Sequence, residues 1–223
     1  MHETYPPAKA YVHRHDYIVA LCAGKKVLDV GFVGEVSTAL DYKVDQFEHS
    51  LHLRLNEVVE SLVGVDIDAD AVKGLQAERS DLACVAGNVE NIEYIPGAPF
   101  DVVVAGDILE HMDGPGKALA NLRRFLKPNG QLVVSVPNAF GLPNYLRFLA
   151  GRFTDGPDHV QTYTRFTIVN ALRRHGYRIE EVCTGLDRTP RSKARRTAYA
   201  ILSQGLKLFP ELGGTLIVVA RLD

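Results

Sequence analysis

Apolar positions along the chain fall into short continuous runs separated by stretches of helical spacing. The runs are KVLDVG (26–31), SLVGVDI (61–67), LACVAG (82–87), FDVVVAG (100–106), GQLVVSVP (130–137), YRIEEVC (177–183) and GTLIVVARL (214–222). Helical patterns lie between them, over roughly 50–60, 69–79, 115–126, 164–175 and 194–209. The middle runs are apolar at nearly every position, the pattern of strands covered on both faces. Strand–helix alternation of this kind predicts an α/β fold, a doubly wound and mostly parallel sheet flanked by helices. The last two runs are joined differently, through a long helical excursion.

With 223 residues, the chain is expected to form a single domain over 1–223. A helical segment is expected over 1–24, a long connection over 138–165 and an amphipathic helical insertion over 188–212. The net charge of −2 gives no electrostatic reason to expect nucleic acid as a partner. Cys22, Cys84 and Cys183 are far apart and odd in number, which points to a reducing, cytoplasmic setting and away from a zinc site. The apolar piece YIVALCAG is too short for a signal-peptide core with its flanks, and no run reaches the length of a membrane span.

Open parallel sheets bind ligands beyond the carboxyl ends of their strands. The first strand here ends in Asp29 and breaks at Gly31 and Gly34, a turn that either lets a ligand approach the backbone or simply bends the chain. The second ends in Asp66, an acid at a position able to accept both ribose hydroxyls of an adenosine. Asp68 reads as the N-cap of the next helix. The third ends at Asn88, whose amide either meets an adenine edge or closes a turn. The fourth runs into AGDILEHM. Three polar strand tips in sequence order favour a ligand over coincidence.

These segments resemble the class I S-adenosylmethionine-dependent methyltransferases, with their Rossmann-like, seven-stranded sheet and antiparallel last strand. VLDVGFVG is similar to the first motif of that family, FDVVVAGDILEHM to the fourth-strand motif, and LRRFLKPNGQLVVSVPN to the turn and fifth strand. The later segment GPDHVQTYTRFTIVNALRRHGYRIEEV is similar to members acting on glycans and related metabolites. Val33 and Glu35 stand where the family usually carries glycines, a GxVG variant of the turn. The spacing to Asp66 is longer than in dinucleotide binders and no GxGxxG is present, which counts against a nicotinamide oxidoreductase. The resemblance implies S-adenosylmethionine as cofactor and S-adenosylhomocysteine as product. It implies cofactor contacts from Asp29, Gly31, Phe32, Val33, Gly34, Asp66, Ile67, Asn88, Val89, Gly106 and Asp107, and a small-molecule or glycan acceptor methylated at oxygen.

An oxygen acceptor benefits from a base. His111 in ILEHM and His159 beside Asp158 are the catalytic candidates; His111 otherwise packs on the cofactor or is a structural helix-start histidine, and Asp158 is expected to orient His159 unless the adjacent side chains point apart. Tyr163 and Arg165 are candidate acceptor contacts. His49 and His52 share a face of a helix and either border the cofactor or form a polar surface. The histidines show no HExxH-type spacing, and no metal is expected. Segment 190–212 reads as a helix packed on the domain, or as a basic amphipathic helix making peripheral membrane contact. A rival to catalysis is a cofactor-binding or scaffold protein on the same fold, for which the altered glycine turn is the best support.

Overall fold

Strands buried on both faces leave their backbone N–H and C=O groups only each other as partners. Here they pair into one eight-stranded sheet. The computed structural model describes residues 5–34, 50–152, 156, 158–186 and 203–223. Among these, in chain order, are β1 (Tyr11–His13), α1 (Arg14–Cys22), β2 (Lys26–Val30), α2 (Leu51–Asn56), β3 (Ser61–Asp66), α3 (Ala69–Glu78) and β4 (Cys84–Ala86). There follow β5 (Phe100–Gly106), α4 (Pro115–Leu122), β6 (Leu126–Pro137), α5 (Leu142–Leu149), α6 (Arg165–Arg174), β7 (Tyr177–Leu186) and β8 (Thr215–Leu222). The sheet order is β1-β7-β8-β6-β5-β2-β3-β4. Strands β4, β3, β2, β5 and β6 run parallel, and β8 lies antiparallel between β6 and β7.

All seven expected strands are present, and the last is antiparallel as expected. The eighth, β1, precedes α1, the helix that the N-terminal segment contributes. β1 pairs in parallel with Thr184–Leu186, and Lys9 N–H and Thr184 N–H extend the ladder to Val182 and Ala10 carbonyls. A bare edge on β7 would expose unpaired backbone groups. Three residues are too few to carry a strand period of their own.

Successive residues of each strand point to opposite faces, which divides the core in two. On one face, Ile18 and Cys22 of α1 and Leu55 of α2 pack on Val27, Val102, Val104, Val133 and Ile217. On the other, Ala118, Leu119 and Leu122 of α4 and Ile168, Val169 and Leu172 of α6 pack on Leu28, Val103, Val134 and Val218. Helix starts follow local chemistry. Asp68 accepts Ala71 N–H at 3.0 Å and begins α3 as expected, and Thr164 caps α6 in a reciprocal pair with Thr167. The helix expected over 115–126 stops at Leu122 and tightens into a 3₁₀ turn at Arg123–Phe125, so β6 starts at Leu126. Of the helix expected over 194–209, residues up to 202 lie outside the described ones; 203–208 are helical.

Leu28 is fully buried on the central strand, so Leu28→Ala should cost about 2–5 kcal/mol. Urea unfolding monitored by circular dichroism measures this; an unshifted midpoint would show that the β2 face is not core.

Candidate functional site

The carboxyl ends of β2, β3, β4, β5 and β6 lie along one edge of the sheet. Strand order reverses beside β2, with β3 and β4 to one side and β5 and β6 to the other. A crevice at such a switch point is where open α/β sheets bind their ligands.

The turn after β2 has Gly31 at φ +75 and Gly34 at φ +95, in the left-handed region that glycine enters without penalty. Gly31 N–H donates to the Val65 carbonyl at 2.8 Å. A Cβ on Gly31 would stand 3.2 Å from the Ile108 side chain, so this turn is pressed against the one that follows β5. Among the described residues, nothing lies within 4 Å of a Cβ built on Gly34. Val33, where a glycine is usual, is not among the positive-φ residues, and its side chain is buried with Leu75 and Leu82. A glycine is not needed there.

Asp66 is buried, and its two carboxylate oxygens accept Val33 N–H and Asp68 N–H, each at 3.0 Å. The β2 turn is thereby tied to the tip of β3. Ile67, next to this acid, is 60% exposed. Asn88 caps its own turn: its side-chain oxygen accepts Glu90 N–H at 2.8 Å, and its carbonyl accepts Asn91 and Ile92 N–H. Val89 is buried in the core.

Behind the turn lies a polar pair that local sequence does not announce. Asp29 accepts or shares a proton with His52 Nδ1 at 2.9 Å, and His52 is 1% exposed. The His52 ring also packs on Phe32 with centroids 4.6 Å apart. Asp29 pairs across the ladder with Gly64. A Cβ on Gly64 would come 2.7 Å from the Phe32 ring and 2.9 Å from His52 Cε1, so the absence of a side chain there makes room for the pair. The other helix histidine, His49, lies outside the described residues.

At the tip of β5, Asp107 has φ +52, an uncommon conformation for a residue with a side chain. Its carboxylate is held by Arg14 at 2.7 Å and by the Ser135 hydroxyl at 3.0 Å. Arg14 Nε also donates to Ser135 at 2.9 Å. A Cβ on Gly106 would meet Arg14 Nη2 at 2.9 Å. Arg14 was not foreseen, because it opens a helix far along the chain from β5 and only the tertiary path of α1 brings it there.

His111 and His159, the two catalytic candidates, meet edge to face with ring centroids 4.6 Å apart. Asp158, expected to orient its neighbour His159, instead bonds His111 Nδ1 at 3.0 Å. The connection is held down by Val160 and Gln161 N–H, both donating to the Glu110 carbonyl, at 2.8 and 3.0 Å. The Glu110 side chain, 1% exposed, sits in the same cluster; it is a further site residue, hidden inside the ILEHM motif. Tyr163 is buried, and its hydroxyl donates to the Leu109 carbonyl at 3.4 Å. Burial first, and the Glu110 charge second, push its pKa up to about 12, so it is a neutral phenol at ordinary pH. Arg165 bonds Glu211 and the Pro6 carbonyl, a clamp on the N-terminal segment.

The three cysteines are buried, and burial pushes Cys22 up to about 12 and Cys183 up to about 11. Neither is a thiolate nucleophile near neutral pH. Among the described residues no helix is long and apolar enough to cross a membrane. Most of the basic part of segment 190–212 lies outside them; Leu208, Phe209 and Leu212 are exposed.

A family model for a methyltransferase domain matches residues 9–182. Curated relatives include an S-adenosylmethionine-dependent methyltransferase of Mycolicibacterium smegmatis, 27% identical over 72% of this chain and 54% of that protein. Another is a ubiquinone biosynthesis O-methyltransferase of Chromobacterium violaceum, 32% identical over 78% of this chain and 70% of that protein. The chain thus spans about half the length of the first relative. The methyltransferase solved in complex with the Trm112 activator of Haloferax volcanii superposes with TM-score 0.61 at 18% identity, over 95% of this chain and 90% of that one. At that identity the likeness is one of fold.

Gly64→Ala should destabilise the protein by about 1–3 kcal/mol through overpacking against Phe32 and His52. Chemical denaturation would register this as a lower midpoint at unchanged slope; a neutral substitution would contradict the packing described for the Asp29–His52 pair.

Proposed function

The chain belongs to the class I S-adenosylmethionine-dependent methyltransferase family, and on that premise we propose that it methylates an oxygen of a small-molecule or glycan acceptor. The observation that carries this reading is the proximity, at one sheet edge, of a glycine turn tied to a buried acid and of a carboxylate–imidazole cluster on the neighbouring strand tip.

The residues present fit the cofactor. Gly31 and Gly34 hold the turn at positive φ with no Cβ between its backbone and a ligand, and an exposed isoleucine adjoins a buried carboxylate at the β3 tip. Asp66 would hold the ribose hydroxyls, the Gly31–Gly34 backbone the methionine part, and Ile67 an apolar face of the adenine. Asn88, Gly106 and Asp107 would border the same ligand. When bound, the sulfonium supplies an electrophilic methyl carbon.

The protein then has three tasks: to position the acceptor, to exclude water and to accommodate the acceptor's proton. A hydroxyl is a poor nucleophile until that proton leaves, which gives the Glu110–His111–His159 cluster a purpose. His111 and His159 are the catalytic residues in this reading, and Asp158 positions the His111 ring through Nδ1. Arg14 and Ser135 position Asp107 and with it the β5 tip. The names of relatives such as the Chromobacterium violaceum O-methyltransferase support oxygen as the attacked atom.

Calorimetric titration with S-adenosylhomocysteine should show binding that Asp66→Ala weakens by about 1–3 kcal/mol, the loss expected for buried hydrogen bonds; unchanged affinity would remove Asp66 from the ribose site. On a panel of hydroxylated acceptors, His159→Ala should retain that affinity and lose about 10²–10⁴-fold in turnover. Full turnover in His159→Ala would refute its catalytic role.

A further inference from the structure

Acid–base catalysis needs one imidazole and a partner, yet the site gathers two imidazoles and a buried carboxylate. We propose that Glu110, His111 and His159 bind one divalent first-row transition-metal cation, zinc by preference. The cation in turn takes an oxygen of the acceptor; this second half rests on the oxygen-methylation reading above.

One carboxylate oxygen of Glu110 and one ring nitrogen of each histidine lie within 4.8 Å of one another. Ligand atoms about 2.0–2.2 Å from a common ion stand roughly 3–3.5 Å apart. The cluster is therefore slightly open, and modest side-chain rotation about a cation closes it. Each histidine has a nitrogen to give. His111 Nδ1 is taken by Asp158 at 3.0 Å, leaving Nε2, the arrangement in which an outer carboxylate orients a metal-binding imidazole. His159 Nδ1 is buried and has no hydrogen-bond partner among the described residues. The opposite edge of that ring is crowded by Gly156, where a Cβ would stand 3.1 Å from both Cδ2 and Nε2. Glu110 supplies negative charge from a buried position, where low dielectric strengthens its attraction for a cation.

Two imidazoles and one carboxylate suit zinc and its first-row neighbours, whereas magnesium favours all-oxygen sites. Three protein ligands leave a coordination position open, the mark of a catalytic rather than a structural site. A hydroxyl bound at that position would acidify as metal-bound water does and lose its proton to solvent as the acceptor enters, before water is excluded. The histidines then serve the acceptor as ligands, and the cation carries the charge that a general base would otherwise have to handle. The sequence shows no such site because His159 reaches the cluster only through the two backbone bonds from Val160 and Gln161 to Glu110.

The test uses the full chain, stripped of metal and titrated with cobalt chloride. All three cysteines are buried and none lies in the cluster, so bound cobalt should give visible ligand-field bands without sulfur charge transfer. One equivalent is expected to saturate the bands, and zinc chloride to displace them. Glu110→Gln and His159→Ala should each weaken binding at least tenfold. His159→Ala, on a connecting segment, keeps the test available if Glu110→Gln fails to fold. His175→Ala, whose ring bonds the Ala171 carbonyl at the end of α6, should bind as the parent does. Absence of bands, or bands of full strength in His159→Ala, would overturn the site. Calorimetry with S-adenosylhomocysteine on the same samples reports on the cofactor reading separately, so either can fail while the other stands.

Discussion

Asp66 ties two turns together at the carboxyl edge of the sheet. Its two oxygens accept N–H groups from Val33 and Asp68 at 3.0 Å each, so one buried carboxylate sets the path of the β2 turn and the start of α3. A buried carboxylate is stable only when hydrogen-bonded or paired. Backbone donors satisfy that requirement, and in doing so they fix where the acid stands. The turn in turn presses on Ile108, which carries the geometry of β3 across β2 to the tip of β5.

Behind this edge the sheet accommodates a second polar pair, Asp29 with His52. The arrangement depends on a missing side chain: Gly64 opens the space that the His52 and Phe32 rings occupy. The variant turn with Val33 fits the same logic. Its backbone needs no glycine and its side chain joins an apolar cluster. The altered motif was the best support for a cofactor-binding protein without catalysis, and that support weakens once the turn is seen to be unstrained at Val33.

The surroundings of the β5 tip are assembled from more distant parts. Arg14 reaches Asp107 from the N-terminal helix, and the connection after α5 is stitched to the Glu110 carbonyl by two backbone bonds. The first of these contacts depends on the outer strands, since β1 against β7 sets the course of the N-terminal segment. The methyltransferase core and the chemistry next to it are therefore coupled through the sheet rather than through neighbouring sequence.

Continuous apolar runs and turn glycines were enough to place seven strands, their mainly parallel sense and the ends at which polar residues gather. Burial on two faces writes itself into local composition, and left-handed turns write themselves as glycine. Asp68 as a helix cap was legible for the same reason, a short-range hydrogen bond with a sequence signature. The partner of Asp158, the reach of Arg14, the buried state of His52 and the three-residue strand β1 were not. Each depends on which strands lie side by side and which way a side chain turns once they do, and neither quantity has a period along the chain. Local pattern determined the scaffold, and tertiary packing decided which of its polar residues meet.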